Sequence, residues 1–486
     1  MTGNRRSELP AAPDGRMLVS GERRTGASVY ELIDPYTADP FAEVTKAATT
    51  HVDEALVIAV KGHEELADLP LHARIEVLER AAQLIAERKE ILAITVSQQT
   101  GKALKDSLGE VGRSTWTLKA TVAAARELRG EVVTADADPG GTGLLALVVR
   151  QPIGVVAAIT PFNAPFNIAT HKVASALVMG NAVVLKPALQ APISGYQLAE
   201  VLLDAGLPPS AISVLPGGAD IGSHLAASPK VGAISLTGGT RAGRAVASVA
   251  ADKKLVLELG GNSANIVCAD ANLESTASML VAGAYANSGQ ACNSVQRVLV
   301  DDSVYDDVAS LLVKQTSNLV VGDPLDGSTD IGTVVDEAAA IRVEAWVREA
   351  VQEGATELTP CTRTGAQITP TILGDVEPEM RVACEEVFGP VMVLIRTQSI
   401  DEAIASANST PFGLQASVFT ESLSSAMRLA KELRSGGVMV NRSSKTRLDH
   451  LPFGGVGGSG VGREGGRYSL EELTYQKLIL VGQSDT

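Results

Sequence analysis

GVVAAIT (154–160), AVVLKP (182–187), ISVLPG (212–217), VGAISLTGG (231–239) and LVLELGG (255–261) follow one another across a single stretch of the chain. Each is a short apolar run that ends in a small or turn-forming residue. Between them lie segments of helical texture: IATHKVASALVMG, a stretch around Ser194 to Ala205, one around Gly222, and RAGRAVASVAADK. Runs apolar on both faces must be covered on both sides, and parallel strands need a crossover long enough to hold a helix. The stretch therefore predicts a doubly wound parallel α/β sheet. Such sheets bind ligands at the carboxyl ends of their strands.

Working outward, residues 262–445 read as a second α/β set, with strands ANIVC, RVLV, VMVLI and SVF and GGVMVN closing it. Upstream, His51 to Gly130 is helical. Ile75, Leu78, Ala82, Ile85 and Leu92 recur at steps of three and four or a multiple, and Gly101 and Gly109 are expected to punctuate the helices. Residues 1–50 read as loops with an early strand pair. A polar DADPGG turn leads into LLALVV, a hairpin or strand that could pair with another element, and QKLILVG (476–482) reads as a terminal strand. The Gly-rich 453–466 reads as a loop, and Ser469 and Glu472 have capping-box spacing for a short helix. There is no internal repeat.

The chain has 486 residues, a prior of about three domains. Hydrophobic residues make up 45% and charged residues 20%, an ordinary globular balance. Lys plus Arg is 41 against 56 Asp plus Glu, a net charge of −15, which argues against a nucleic-acid partner. No apolar run reaches the roughly 18 residues of a spanning helix, so no membrane association is expected. MTGNRRSELP lacks the apolar stretch of a signal peptide. Four cysteines are too few for a disulfide scaffold, so a reducing cytoplasm is expected.

Three residues stand out for their chemistry. Cys292, in YANSGQACNSVQR, is flanked by small residues that admit a substrate to the sulfur, whose thiolate would be the nucleophile. The bland alternative is a buried structural thiol, the reading that suits Cys268 in its apolar strand. Glu258, in KLVLELGGNSANIV, is a carboxylate inside an apolar strand and costly to bury. It is either a strand-end residue facing solvent or a base of raised pKa poised to activate a thiol or a water. Asn163, in ITPFNAPFN, lies just past a strand where a helix begins. It is either a turn or N-cap residue or an amide donor to a developing oxyanion.

For a nucleotide, Gly455-x-Gly457-x-x-Gly460 and Gly460-x-Gly462-x-x-Gly465 both match GxGxxG, but neither follows a predicted strand. The better candidate is Thr237-Gly238-Gly239-Thr240, which follows the strand GAISL and opens a helix whose free N–H groups can hold a pyrophosphate. Lys186, ending AVVLKP, can meet the adenosine ribose or a phosphate on it.

With Asn163, Lys186, Glu258 and Cys292 in that order, the chain resembles the aldehyde dehydrogenase superfamily over about residues 15–480. LELGGNS, YANSGQAC, EEVFGP (385–390) and LPFGGVGGSGVGREG (451–465) carry the resemblance. The resemblance implies a Rossmann-like cofactor domain (1–128 and 151–259), a catalytic domain (260–445) and a small β oligomerisation element (129–150 and 466–486), hence a homodimer or homotetramer. It implies that Cys292 attacks the aldehyde to give a thiohemiacetal, that Asn163 and the Cys292 N–H hold the oxyanion, and that Glu258 activates the water that hydrolyses the thioester. Cofactor contacts are implied at Thr160, Pro161, Lys186, Gly217, Gly238, Gly239, Leu259, Glu386 and Phe388, and no metal. Gly239 departs from the usual serine. Leu189 stands where NAD-selective members often carry a glutamate, so either NAD or NADP is expected.

VMVNRSSKTRLDHLPFGG looks like the branch acting on lactaldehyde, sulfolactaldehyde and phosphonoaldehydes. There Arg447, and Arg113 in GEVGRS, match cations that bind the substrate's polar end; Arg442 and Lys445 add positive charge. The bland reading of Arg447 is a salt bridge across a subunit contact. Ala291 replaces an arginine found in some phosphonoaldehyde members. A broad-specificity or succinate-semialdehyde-type enzyme is the alternative. A CoA-acylating enzyme would lack the Glu258 carboxylate. A cysteine hydrolase would need a histidine near Cys292, which neither His171 nor His450 is placed to supply. A non-catalytic binding protein would have no use for the intact trio.

Overall fold

Strands Val155–Ile159, Ala182–Lys186, Ile212–Val214, Ala233–Thr237 and Lys254–Glu258 are parallel, as the opening stretch predicts. The computed structural model describes residues 13–482 together with Arg6 and Leu9. The strand order runs 212–182–155–233–254. It therefore reverses between Val155–Ile159 and Ala233–Thr237, which opens a crevice at their carboxyl ends. Val156, Ala158, Val183 and Leu185 enter one core, while Val155, Ala157, Ala182 and Val184 enter the core on the opposite face. That alternation is why both faces read as apolar. Helix Pro165–Val178, buried along its whole length, follows the central strand.

The two sheet edges are closed by antiparallel pieces. Met17–Val19 and Glu22–Arg24 extend one edge; Gly460–Val461 pairs with Leu257 and Glu258 on the other. The Gly-rich segment is thus not all loop. Gly460 has φ +130, and a Cβ there would strike the Leu257 carbonyl, so glycine permits this strand contact. The two GxGxxG matches serve packing at the sheet edge rather than a strand-to-helix turn.

The second sheet has seven strands in the order Thr356–Thr359, Thr371–Gly374, Val391–Thr397, Val295–Asp301, Ser263–Val267, Gln415–Phe419 and Gly437–Val440. The last five are the expected runs. Cys268 falls just past its strand. A third sheet pairs Glu131–Val133 and Thr474–Val481 with opposite edges of Leu145–Pro152, from Thr474 opposite Pro152 to Val481 opposite Leu145. Residues 483–486 of the expected oligomerisation element, and most of MTGNRRSELP, lie outside the described residues.

Helices Thr49–Asp68, Leu71–Glu87, Lys89–Thr100 and Leu104–Glu127 account for the helical region. Gly101, at φ +70, ends one of them, but Gly109 lies inside the last and breaks nothing. One interior glycine costs only about 1 kcal/mol, which packing overrides. The capping-box expectation also needs correction. Helix Arg467–Glu472 is capped by Gly466, and the Ser469 hydroxyl inside it accepts from the Gly465 N–H at 2.8 Å. Among the described residues, no helix is long and apolar enough to cross a membrane and no cluster of His, Cys, Asp and Glu could hold a metal.

Candidate active site

Cys292 sits between helix Leu273–Tyr285 and strand Val295–Asp301, on a coil that the sequence winds tightly. Asn287, Ser288 and Gly289 all have positive φ, at 56°, 52° and 71°. Two non-glycine residues in that region store strain that surrounding bonds must hold. The Asn287 N–H donates to Asp106 at 2.7 Å, and its amide donates to the Asn163 carbonyl at 2.8 Å and the Gln290 carbonyl at 3.0 Å. The Val335 N–H donates to the Gln290 side chain at 2.9 Å. A Cβ on Gly289 would strike the Gly389 carbonyl, and one on Gly261 the Cys292 carbonyl. The small residues around Cys292 therefore bring three segments together. Burial pushes the thiol up to about 12, Glu386 adds to the rise, and Lys445 and Arg447 oppose it.

Asn163 is buried on the other side of this coil, its amide donating to the Gln290 carbonyl at 2.9 Å. It does not cap the helix, which begins after Ala164. The buried Glu110 carboxylate does the capping instead, accepting from the Phe166 and Asn167 N–H groups at 2.9 and 3.1 Å while paired with Lys102. The second N–H of the Asn163 amide stays available. The Cys292 N–H has no protein partner among the described residues. Two donors are thus free to hold a developing oxyanion.

Glu258 ends its strand only 2% exposed, and neither carboxylate oxygen has a partner among the described residues. Burial, then repulsion from Glu464, raises its pKa well above the ordinary value. It does not face solvent. Gly454 leaves it room, since a Cβ there would lie 2.8 Å from Glu258 Oε1. Glu464 is held the other way. Lys172 donates to it at 2.6 Å and Arg447 at 3.2 Å, which keeps it ionised. Two neighbouring carboxylates with opposite shifts separate a proton-transferring group from a fixed charge. Sequence reasoning missed Lys172 and Glu464. The available signal was a lysine inside an otherwise apolar buried helix.

The remaining residues lie on turns after the parallel strands or on loops that touch those turns. The Thr160 N–H donates to the Lys186 carbonyl at 3.1 Å, and Pro161 follows it on the turn. Burial lowers the Lys186 ammonium to about 8, and among the described residues its one hydrogen bond is to the Pro187 carbonyl at 3.3 Å. Gly217 lies against Ile221, where no Cβ fits. The Gly238 N–H donates to the Glu258 carbonyl at 3.0 Å. Gly239 begins helix Thr240–Val249 without a side-chain cap, and a Cβ on it would meet open space. The missing serine therefore leaves the helix terminus uncovered. The buried Thr237 hydroxyl beside it also has no partner among the described residues. Leu259 packs into the notch left by Gly243. Glu386 accepts from the Gly261 N–H at 2.9 Å and is pushed up to about 7 by burial. Phe388, at φ 49°, meets Phe162 edge-on at 5.8 Å between centroids. Phe162 was also not foreseen. At Leu189 a carbonyl accepts from the Tyr30 hydroxyl at 2.9 Å. An open helix terminus after Gly239 and a cation at Lys186 suit the phosphates of a dinucleotide.

A cavity of about 900 Å³ is lined by Leu108, Gly112, Arg113, Trp116, Arg447 and Asp449, among others. Both arginines are engaged within this chain. Arg113 forks onto Asp449, with Nε at 2.9 and 3.1 Å from its two oxygens. Arg447 donates to Glu464 and stacks on Phe453 at 3.9 Å. The Arg447 salt bridge is thus intrachain. Asp449 also lies 3.1 Å from His171 Nε2, while His450 is exposed. Arg442 is exposed as well, donating to the Asn441 carbonyl.

The chain matches the aldehyde dehydrogenase family over residues 22–479. It is 42% identical to a 3-sulfolactaldehyde dehydrogenase of Priestia aryabhattai, covering 96% of this chain and 97% of that protein. It is 35% identical to a lactaldehyde dehydrogenase of Methanococcus maripaludis, covering 96% and 99%. Among solved structures, the NADP-dependent glyceraldehyde-3-phosphate dehydrogenase of Bacillus halodurans C-125, complexed with NADP, superposes with a TM-score of 0.94 at 37% identity, covering 97% and 99%.

Proposed function

Since the chain belongs to the aldehyde dehydrogenase family and is an NAD(P)+-dependent oxidoreductase of aldehydes, we propose that it oxidises a small aldehyde carrying an anionic group, of the sulfolactaldehyde type, to the free acid. The observation that carries this is the cluster of cations, Arg113, Arg447 and Lys445, gathered around Cys292 and the cavity in a protein of net charge −15. The resemblance to the sulfolactaldehyde enzyme supports it.

Cys292 gives its proton to Glu258, which releases it to solvent, and the sulfur adds to the aldehyde carbon, giving a thiohemiacetal. The Asn163 amide and the Cys292 N–H hold the oxygen as it gains charge. A bound oxidised nicotinamide would supply the acceptor for the hydride on that carbon, which would leave a thioester on Cys292. Glu258, ionised, takes a proton from water, which attacks the thioester; the carboxylic acid leaves and the sulfur is free again. The Lys172–Glu464 pair holds fixed charge beside Glu258 and keeps its partner carboxylate from competing for the proton. Lys186, Gly217, Gly238, Gly239 and Leu259 would hold the adenosine and pyrophosphate half, and Thr160, Pro161, Glu386 and Phe388 the nicotinamide half. With no carboxylate at Leu189, that position does not repel a 2′-phosphate, and Lys186 can meet it, so NADP is accepted as well as NAD.

Residues 1–128 with 151–259 would form the cofactor domain and 260–445 the catalytic domain. The three-stranded sheet would join subunits into a dimer or tetramer. The test is the initial rate of reduced-nicotinamide formation with 3-sulfolactaldehyde, lactaldehyde and propanal, using both NAD and NADP. A kcat/KM at least about 100-fold higher for the sulfonated aldehyde than for propanal, some 2.7 kcal/mol, supports the reading. Equal values make this a broad aldehyde oxidiser.

A further inference from the structure

We propose that Lys445 is the residue that fixes the substrate's anionic group, its ammonium meeting the sulfonate or carboxylate of an aldehyde whose carbonyl lies on Cys292. This rests on the anionic-aldehyde reading above and says which of the three cations does the work.

The geometry places Lys445 against the nucleophile's own neighbour. Asn293, the residue after Cys292, donates its amide to the Lys445 carbonyl at 3.2 Å, and its own carbonyl accepts from the Ser444 hydroxyl at 3.1 Å. The Thr446 carbonyl accepts from Gln415 at 3.2 Å, and the Ser444 N–H donates to Asn265 at 3.1 Å. Residues 444–446 are thereby tied to the segment that carries the nucleophile, and the Lys445 side chain starts from a fixed point beside it.

The two arginines are spent. Arg113 forks onto Asp449, and Arg447 is bonded to Glu464 and stacked on Phe453. A substrate anion would have to share each with a carboxylate. The Lys445 ammonium, though largely buried, has no hydrogen bond or ion pair among the described residues. Four charged or titratable groups face it. Cys292 is the strongest, and the others are Lys102, Asp106 and Arg113. Lys102 is paired with Glu110, and Asp106 is capped by the Asn287 N–H. A buried cation with no carboxylate bonded to it is costly unless a ligand supplies the charge. Burial lowers it to about 8, the state expected of a cation waiting for its anion.

The test compares kcat/KM for sulfoacetaldehyde and for propanal in the wild type, Lys445→Met and Lys445→Arg, with cofactor binding followed by fluorescence as a check on folding. The preference for the anion should fall roughly 10- to 100-fold in Lys445→Met, the worth of a charged hydrogen bond, and persist in Lys445→Arg. The ratio of the two values should also decline in the wild type as pH rises through about 8. It should stay flat in Lys445→Arg, whose guanidinium does not deprotonate. Titration of Cys292 affects both substrates and cancels in the ratio. An equal loss on both aldehydes assigns Lys445 to thiol activation and overturns the proposal, as does an undiminished preference in Lys445→Met. Wild-type turnover of propanal without sulfoacetaldehyde overturns the anionic-aldehyde reading itself and this proposal with it.

Discussion

Burial decides the chemistry of single residues here. His171, Glu258 and Lys445 are all pushed toward their neutral forms by the loss of water, while Glu464 stays ionised beside Lys172 and Arg447, and Asp449 beside Arg113. The shift at His171 has a sign that can be measured. Its pKa falls from 6.5 to about 4, with burial as the main cause and Arg447 second. The unfolded chain therefore binds the extra proton first as pH drops, and folding stability is lost between pH 6.5 and about 4. Glu464, lowered from its ordinary value, adds acid sensitivity of the same sign below that window. Glu258 and Glu386, both raised by burial, act with the opposite sign in this range, so the signature of His171 is a difference: from pH 7.5 down to 4 the melting temperature of the wild type should fall relative to that of His171→Gln. A difference between wild type and variant that stays constant with pH would mean that His171 is not held neutral.

At the scale of elements, the coil at 286–292 and the turns after the parallel strands place every reacting group. Gly289→Ala should be the most damaging conservative change in the coil. The substitution meets both a positive φ and the Gly389 carbonyl, and such strain costs on the order of 1–3 kcal/mol. Loss of activity well beyond any loss of melting temperature is expected, and wild-type activity would show that the coil tolerates repacking. The parallel strands and the Cys292, Glu258 and Asn163 segments were legible in the sequence, since β-branched runs and small-residue clusters are local signals. Four features were not. Gly109 looked like a helix break, but tertiary contacts hold the helix through it. Ser469 matched a cap spacing, yet the helix starts two residues earlier, at Arg467. Strands Thr356–Thr359 and Thr371–Gly374, at one end of the second sheet, are too short to carry a period. Lys172 with Glu464 is a pair 292 residues apart in the chain, and only folding brings it together.

Across the whole molecule, two parallel-type sheets supply the site, and a third, antiparallel one carries an exposed apolar strand. Leu478 and Leu480 are 62% and 54% exposed on Thr474–Val481. A long uncovered edge of that kind favours pairing with another copy. Leu478→Asp combined with Leu480→Asp should lower the mass measured by light scattering toward that of one chain, 50.3 kDa. An unchanged mass above that of one chain would place the subunit contact elsewhere. The central claim is that oxidation passes through a thioester on Cys292 and that Glu258 is needed to release it. It is tested most directly by mixing Glu258→Gln enzyme with 3-sulfolactaldehyde and excess oxidised dinucleotide, then measuring the protein's mass and its cysteine peptides. One equivalent of reduced nicotinamide per site, with the acyl group on the Cys292 peptide and turnover slowed roughly 100- to 10,000-fold, is the expected result. Full turnover without an adduct, or an acyl group on Cys268, Cys361 or Cys384, would contradict the account.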